Sequence, residues 1–566
     1  MSISSNPKSK KFSMPGSKLL IWCVIVSPIV MFISCVQKEE PQVTSKNELA
    51  VFLDSLERRY ENACLRMGLA NWNSYAKEGP YDLDSAKAYL VKVFSDTAAS
   101  QIIDEWKKKS NSLADKLLAR RLDLWQRCFI GGTIYSDPEI AALENSLQQK
   151  ITNFKFTFEG SQISLLNLNN KLREEKKQSR RHKLWSVTSQ LSAVTAPDLI
   201  QLVKLRNKKA RQLGFPNYYS LALHLQAVDE EWLLKTLNIL EENTRTTFGE
   251  DVDAFKKKLH IENLGPWDFD IVLRDTASIP DRYFPQDSVF AVIHEFQKGI
   301  GFDVDSLPIK EVTKDIPYSA LSIAINIPED SRFMINPTKG KGFYSAAFSQ
   351  YGHCLKAVHT RVEYPILKGY EWIPGAQCAA YEEGISEMHG EFTDDSLWLS
   401  KFTNARPKTI DKYTSGRGLP TMYRMRRLLK DFFIEYEMYK NPEQDMALLE
   451  REMLGKYLLT TLDDTVAHQF AASVPYAYRP CSNHNCILAG MIAAQLQEAL
   501  TSKFGAGKIE NPKVASWMID HLYATGETEE WTERIRNATG KSLETGAYLR
   551  KLGIWPAELI TNQNND

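Results

Sequence analysis

The sequence predicts a mostly α-helical fold with one small β-sheet, and three observations point that way. Leu49, Phe52, Leu53, Leu56, Tyr60, Ala63 and Met67 recur at three- and four-residue spacing, which lays an apolar stripe along one long helix. Leu321, Ile323, Ile325 and Ile327 instead alternate with period two between Pro317 and Pro328, the pattern of a half-buried strand. With 566 residues, 43% hydrophobic and 25% charged, the chain is able to bury a large core. Lys+Arg and Asp+Glu both total 70, so net charge gives no reason to expect a nucleic-acid partner.

Residues 1–34 read as a targeting segment outside the fold. Lys8, Lys10, Lys11 and Lys18 precede an apolar run from Leu19 to Ile33, broken only by Ser27 and Pro28. The run is short for a bilayer span, and the basic, apolar, small order is that of a secretory signal. Ser34-Cys35 resembles a bacterial lipobox, which implies cleavage before Cys35, lipid on that cysteine and a polar tether over 35–46. A plain anchor helix, or cleavage elsewhere, is the alternative. Two acyl chains suffice to hold a folded domain at a membrane. The expected address is the bacterial cell envelope, as a lipid-anchored outer-membrane protein; Val36-Gln37-Lys38-Glu39-Glu40 resembles acidic surface-export signals, which leaves exposure at the cell surface as one option for the side of the membrane.

From residue 47 the helical signal dominates. Thr195-Ala196-Pro197-Asp198 reads as a helix start with proline in the first turn, and Gly214 as its stop. Asp229-Glu230-Glu231 opens another helix carrying Leu233, Leu234, Leu237 and Leu240. The basic run from Lys171 to Arg181 reads as a solvated helix face. Arg332 to Ile335 suits a hairpin partner for the alternating strand. There is no repeat and no linker after 46, so 47–566 is expected as one domain. Cys64, Cys128, Cys354, Cys378, Cys481 and Cys486 can pair outside the cytoplasm; Cys481 and Cys486 are nearest, but spacing leaves connectivity open.

The chemistry-bearing segment is Gly342 to Glu391. Phe343 to Lys356 reads as a helix with Phe348, Gly352 and Leu355 on its packing face, and it contains Ser349-Gln350-Tyr351-Gly352-His353. In a zincin such a helix carries HExxH: two histidines one turn apart grip zinc, and the glutamate takes a proton from the metal-bound water. Downstream lie Tyr381-Glu382-Glu383-Gly384-Ile385 and His468-Gln469-Phe470-Ala471-Ala472-Ser473-Val474-Pro475-Tyr476-Ala477-Tyr478. In this order the segments resemble the angiotensin-converting-enzyme-like and oligoendopeptidase-like gluzincin metallopeptidases, over about residues 47–555.

That resemblance implies a large two-lobed zincin-like helical domain with a deep central groove and a small β-sheet beside the active-site helix. It implies metal-ligand positions at His353 and Glu383, and an oxyanion or substrate-binding set at His468, Tyr476 and Tyr478. The sequence departs from the family where chemistry is most demanding. Ser349 stands at the first histidine and offers a poor, neutral ligand. Gln350 stands at the general base and cannot ionise. A further family tyrosine is replaced by Arg479 or, with an insertion before it, by Cys486.

His359 and His389 lie six residues from His353 and Glu383 and so face elsewhere on their helices. His294-Glu295-Phe296-Gln297-Lys298 lacks the second histidine, and Cys354 is adjacent to His353 in sequence only. The expectation is a lipid-anchored pseudopeptidase that binds peptides or a partner protein without cutting. No cofactor is expected, zinc entering only through the alternative of an active metallopeptidase with a non-standard ligand set. A structural component of a membrane complex is a third reading.

Overall fold

The computed structural model describes residues 43–110, 113–274, 276–460, 462 and 468–555. The signal segment and Cys35 lie outside the described residues. No described helix is long and apolar enough to cross a membrane.

Helix α1 (Lys46–Ala76) opens on a capping box. The Glu48 amide donates to Ser45 Oγ at 3.3 Å and the Ser45 amide donates back to Glu48 Oε2 at 2.9 Å, satisfying amides that a helix start leaves free. The predicted stripe is buried at Leu49, Leu53, Leu56, Tyr60, Ala63 and Met67. Val43 to Lys46, assigned to the tether from sequence, belong to this folded unit. The Val43 carbonyl accepts from Trp106 Nε1 at 3.0 Å. Helix α2 (Lys116–Tyr135) closes a first core around Tyr60, Phe94, Trp125 and Phe129, where Arg121 Nε donates to buried Glu57 at 2.8 Å.

A short hairpin of β1 (Phe156–Phe158) and β2 (Ser161–Ile163) leads into the second half. Here two sequence expectations need correcting. Helix α3 begins at Ser189 and runs to Gln212, so Pro197 sits inside it and does not start it. An interior proline costs about 3 kcal/mol. The turn ahead of it offsets this by burying Leu191, Ser192 and Thr195, with Thr195 Oγ1 donating to the Leu191 and Ala471 carbonyls at 2.9 and 2.7 Å. Arg181 is not solvated. It is buried and grips Asp268 Oδ1 through Nε and Nη2 at 2.8 and 2.7 Å, a long-range partner no local pattern reveals. Helix α4 (Glu230–Leu259) starts as expected, with Asp229 Oδ1 accepting from the Trp232 amide at 2.7 Å.

The sheet that positions the site has three strands, β3 (Ile309–Thr313), β4 (Ala320–Asn326) and β5 (Asp330–Ile335), in the order β3-β5-β4. β4 is the expected alternating strand and pairs antiparallel with β5, which leaves it one free edge. β3 pairs parallel with β5 and escaped the sequence reading because Ile309-Lys310-Glu311-Val312-Thr313 is mostly polar. One sheet face buries Ile323, Ile325 and Met334 against Trp72 and Ala76 of α1. A Cβ on Gly68 would lie 3.3 Å from Ile325 Cα, so glycine lets α1 lie this close to the strand backbone. The other face meets α5 (Lys341–His359) through Phe333, Tyr344, Phe348 and Tyr351.

Helices α6 (Ala379–Phe392), α7 (Gly418–Lys440) and α8 (Asn483–Phe504) complete the second, larger core. All six cysteines of the described residues are free thiols, so Cys481 and Cys486 do not staple their loop. Cys481 is buried, with its amide donating to Glu435, whereas Cys486 is exposed.

Candidate functional site

The site forms where α5 and α6 meet. Ser345 Oγ donates to the Gly390 carbonyl at 3.4 Å, Ser386 Oγ to the Ser349 carbonyl at 3.0 Å, and Lys356 Nζ to Glu382 Oε1 at 2.5 Å. These pairs run in opposite directions along the two helices, which are therefore antiparallel. Small residues permit the approach. A Cβ on Gly352 would stand 2.6 Å from the His389 ring, and one on Gly390 would collide with Ser349 Oγ. Ser349 thus faces the α6 backbone at the seam.

Gln350 turns to the sheet. Its Oε1 accepts from both the amide and the hydroxyl of Ser322, each at 2.9 Å. Ser322 lies on β4, and the bond to Gln350 identifies its N–H as pointing to the strand's free edge. One turn on, His353 is half-buried, and Glu383 on α6 is exposed. Neither side chain makes a hydrogen bond or ion pair among the described residues. Among the described residues no group of three or more His, Cys, Asp or Glu side chains is arranged to hold a metal ion. The residues present therefore do not fit the zinc site that the motif implies.

Other side chains act on this site electrostatically. Glu371, in the loop before α6, reaches solvent yet sits deep enough that desolvation raises its carboxyl pKa. Glu383 and Glu382 push it the same way, while His353 and Arg479 oppose it, so these groups share one electrostatic neighbourhood. Among the described residues neither the Glu371 carboxylate nor the Arg479 guanidinium has a hydrogen-bond or ion-pair partner. Cys486, at the start of α8, is raised by desolvation and by Glu383 and Glu387, and held down by Arg424 and Arg479. Arg479 and Glu383 thus both act on Cys486. Across the recess Arg479 also lowers Tyr75 of α1, whose pKa desolvation and Tyr318 raise; the two tyrosine rings meet edge-on at 6.0 Å.

The structure does not draw His468, Tyr476 and Tyr478 into this set. His468 Nδ1 pairs with Ser192 Oγ at 3.0 Å. Tyr476 is buried and donates to the Asp431 carbonyl at 2.9 Å, and Tyr478 donates to the Gln148 carbonyl at 3.2 Å. No hydrogen bond or ion pair among the described residues links any of the three to His353 or Glu383. Tyr476 instead helps line a recess of about 330 Å³ with Trp185, Tyr423, Arg427, Glu450 and Phe470.

The other histidines weighed from sequence, His389, His359 and His294, have partners within the fold. His389 is buried against Tyr523, with Nε2 and the phenol oxygen 2.7 Å apart, and burial lowers it to about 3. His359 Nδ1 lies 2.7 Å from the Leu355 carbonyl, and His294 pairs with Glu311 at 2.7 Å. Glu371 and Arg479 were missed as site residues. Glu371 lies in an irregular loop with no periodicity to aim it, and Arg479 was noticed only as the loss of a tyrosine.

Comparison with family models and with curated proteins finds no match. Solved structures do match. Trypanosoma cruzi metallocarboxypeptidase 1 superposes with a TM-score of 0.59 at 15% identity, over 89% of this chain and 98% of that one. The M32 carboxypeptidase of Deinococcus radiodurans R1 gives 0.60 at 12% identity, over 89% of this chain and all of that one. This mostly helical chain with its small sheets therefore has a metallocarboxypeptidase-like fold.

Proposed function

We propose that this chain is a pseudopeptidase, a protein on a metallopeptidase fold that binds peptides in the recess between β4 and α5 without hydrolysing them. One observation carries the reading. The residue at the general-base position is an amide, and its oxygen is already occupied by Ser322 of the edge strand. An amide has no proton-accepting pKa near neutrality, so no base stands over a would-be nucleophilic water. With Ser349 turned to the α6 backbone, only His353 and Glu383 remain of the ligand set, and loss of a ligand weakens a zinc site more than the roughly 10–100-fold of a second-shell change. A free strand edge is a means of holding an extended peptide through main-chain hydrogen bonds. Lipid on Cys35 would tether this activity to the bacterial envelope.

Metal analysis of the purified chain, with a peptide-cleavage assay, tests this. The expected result is well under one equivalent of zinc and no chelator-sensitive cleavage. One equivalent of bound zinc with chelator-sensitive cleavage would overturn the reading. The paired Ser349→His, Gln350→Glu variant is expected to gain zinc; failure to do so would show that the seam has closed around Ser349.

A further inference from the structure

Strand β4 has two faces and one open edge, and together they set what kind of peptide fits it. Alternate side chains of a strand point to opposite faces. Ser322 presents its hydroxyl to Gln350 of α5, 2.9 Å away, and Ala320 belongs to the core in which α5 packs. Leu321, Ile323 and Ile325 point the other way, onto the cluster built on Trp72 and Ala76 of α1. β5 takes one edge of β4, and the other carries the Ser322 amide, which donates to the Gln350 carboxamide at 2.9 Å. A carboxamide has the donor and acceptor groups of one peptide unit, so the partner found on this edge is itself peptide-like.

The two faces are covered to different degrees. Ile323 and Ile325 are buried, whereas Leu321 is half-buried, and so are Tyr75 and Trp372, which pack against the same cluster. Tyr318, two residues ahead of β4, is 49% exposed, with its ring edge-on to that of Tyr75 at 6.0 Å. The α1 face therefore ends in an apolar rim of Tyr75, Tyr318, Leu321 and Trp372 that the fold leaves partly open. The α5 face is polar beside it, with half-buried Ser322 against Gln350. A strand added to β4 would continue both faces, so that every second side chain lies over the rim and those between lie beside Ser322 and Gln350.

We propose that the peptide held on β4 is an amphipathic strand, with apolar side chains at every second residue on the α1 rim and polar ones towards α5. This rests on the peptide-binding reading above. Main-chain bonding at the edge supplies affinity that is indifferent to sequence, and the rim supplies selection for alternation.

The test is fluorescence anisotropy of the purified full chain in detergent, with detergent alone as the blank. Two short labelled peptides of one composition are compared: the first alternates leucine with threonine, and the second groups its leucines at one end. The alternating peptide is expected to bind about tenfold more tightly, the scale of burying one further leucine side chain. Tyr318→Ser, at an exposed position, should keep the wild-type unfolding midpoint and cut that preference to about threefold or less. An unchanged preference in both Tyr318→Ser and Tyr75→Ser would overturn the assignment of the rim. Equal binding of the two peptides to the wild type, or tighter binding of the grouped one, would overturn the alternation while leaving peptide binding intact. If neither peptide binds, the peptide-binding reading itself falls.

Discussion

Arg206 and Arg479 lie in two regions treated very differently by the fold. Arg206 is fully buried, and its guanidinium donates to Tyr439 Oη at 3.0 Å, to the Tyr476 and Ala477 carbonyls at 3.2 and 3.0 Å, and to Glu144 at 2.7 Å. Nearby, Glu435 accepts from the Cys481 amide at 2.8 Å and from Asn483 at 3.1 Å. Arg479 and Glu371 are both exposed and share one electrostatic neighbourhood, and neither side chain has a hydrogen bond or ion pair among the described residues. A buried polar group without partners costs on the order of 1–3 kcal/mol, so the fold supplies them in the core. At the recess water can serve instead, and the groups stay available to a ligand. The contrast separates polar residues kept for structure from those free for binding.

The largest effect is expected from breaking the satisfied region. Arg206→Met leaves Glu144 and two carbonyls without their donor and should destabilise the chain by about 3–5 kcal/mol, the usual cost of removing one partner of a buried pair. Denaturant unfolding measures this, and a loss below about 1 kcal/mol would mean that the network is not structural.

A smaller, pH-dependent effect is expected at Glu435, whose carboxyl burial raises to about 7. The folded chain then holds a proton that the unfolded chain releases near the ordinary value. Stability from this group is present at low pH and lost as pH rises through about 7. Between pH 5 and pH 8 the wild type should lose up to about 3 kcal/mol relative to Glu435→Gln. Parallel stability profiles for the two proteins would refute the shift.

The smallest effect is expected at the recess. Glu371→Gln removes no bond and should leave stability within about 0.5 kcal/mol of the wild type. A large loss there would erase the distinction between the two regions.

The relative placement of the candidate residues was legible in sequence where helical geometry carries it. Ser349, Gln350 and His353 share one helix, so their spacing fixes their relative directions whatever surrounds them, and Glu383 follows on the helix packed against it. The surroundings of His468, Tyr476 and Tyr478 were not legible, because these residues lie on a loop and a short helix, Val474–Tyr478. There, each side chain's direction depends on what the neighbouring helices offer: Ser192, the Asp431 carbonyl and the Gln148 carbonyl.

By itself the sequence determined the mostly helical class, the edge strand and the presence of a non-ionising amide at position 350, because periodicity and side-chain chemistry are local properties. Tertiary structure alone decided that Gln350 is tied to Ser322, that Tyr476 is buried and that His353, Glu383 and Arg479 all act on the Glu371 carboxyl. Those pairings join residues far apart in the chain, and their partners are set by packing.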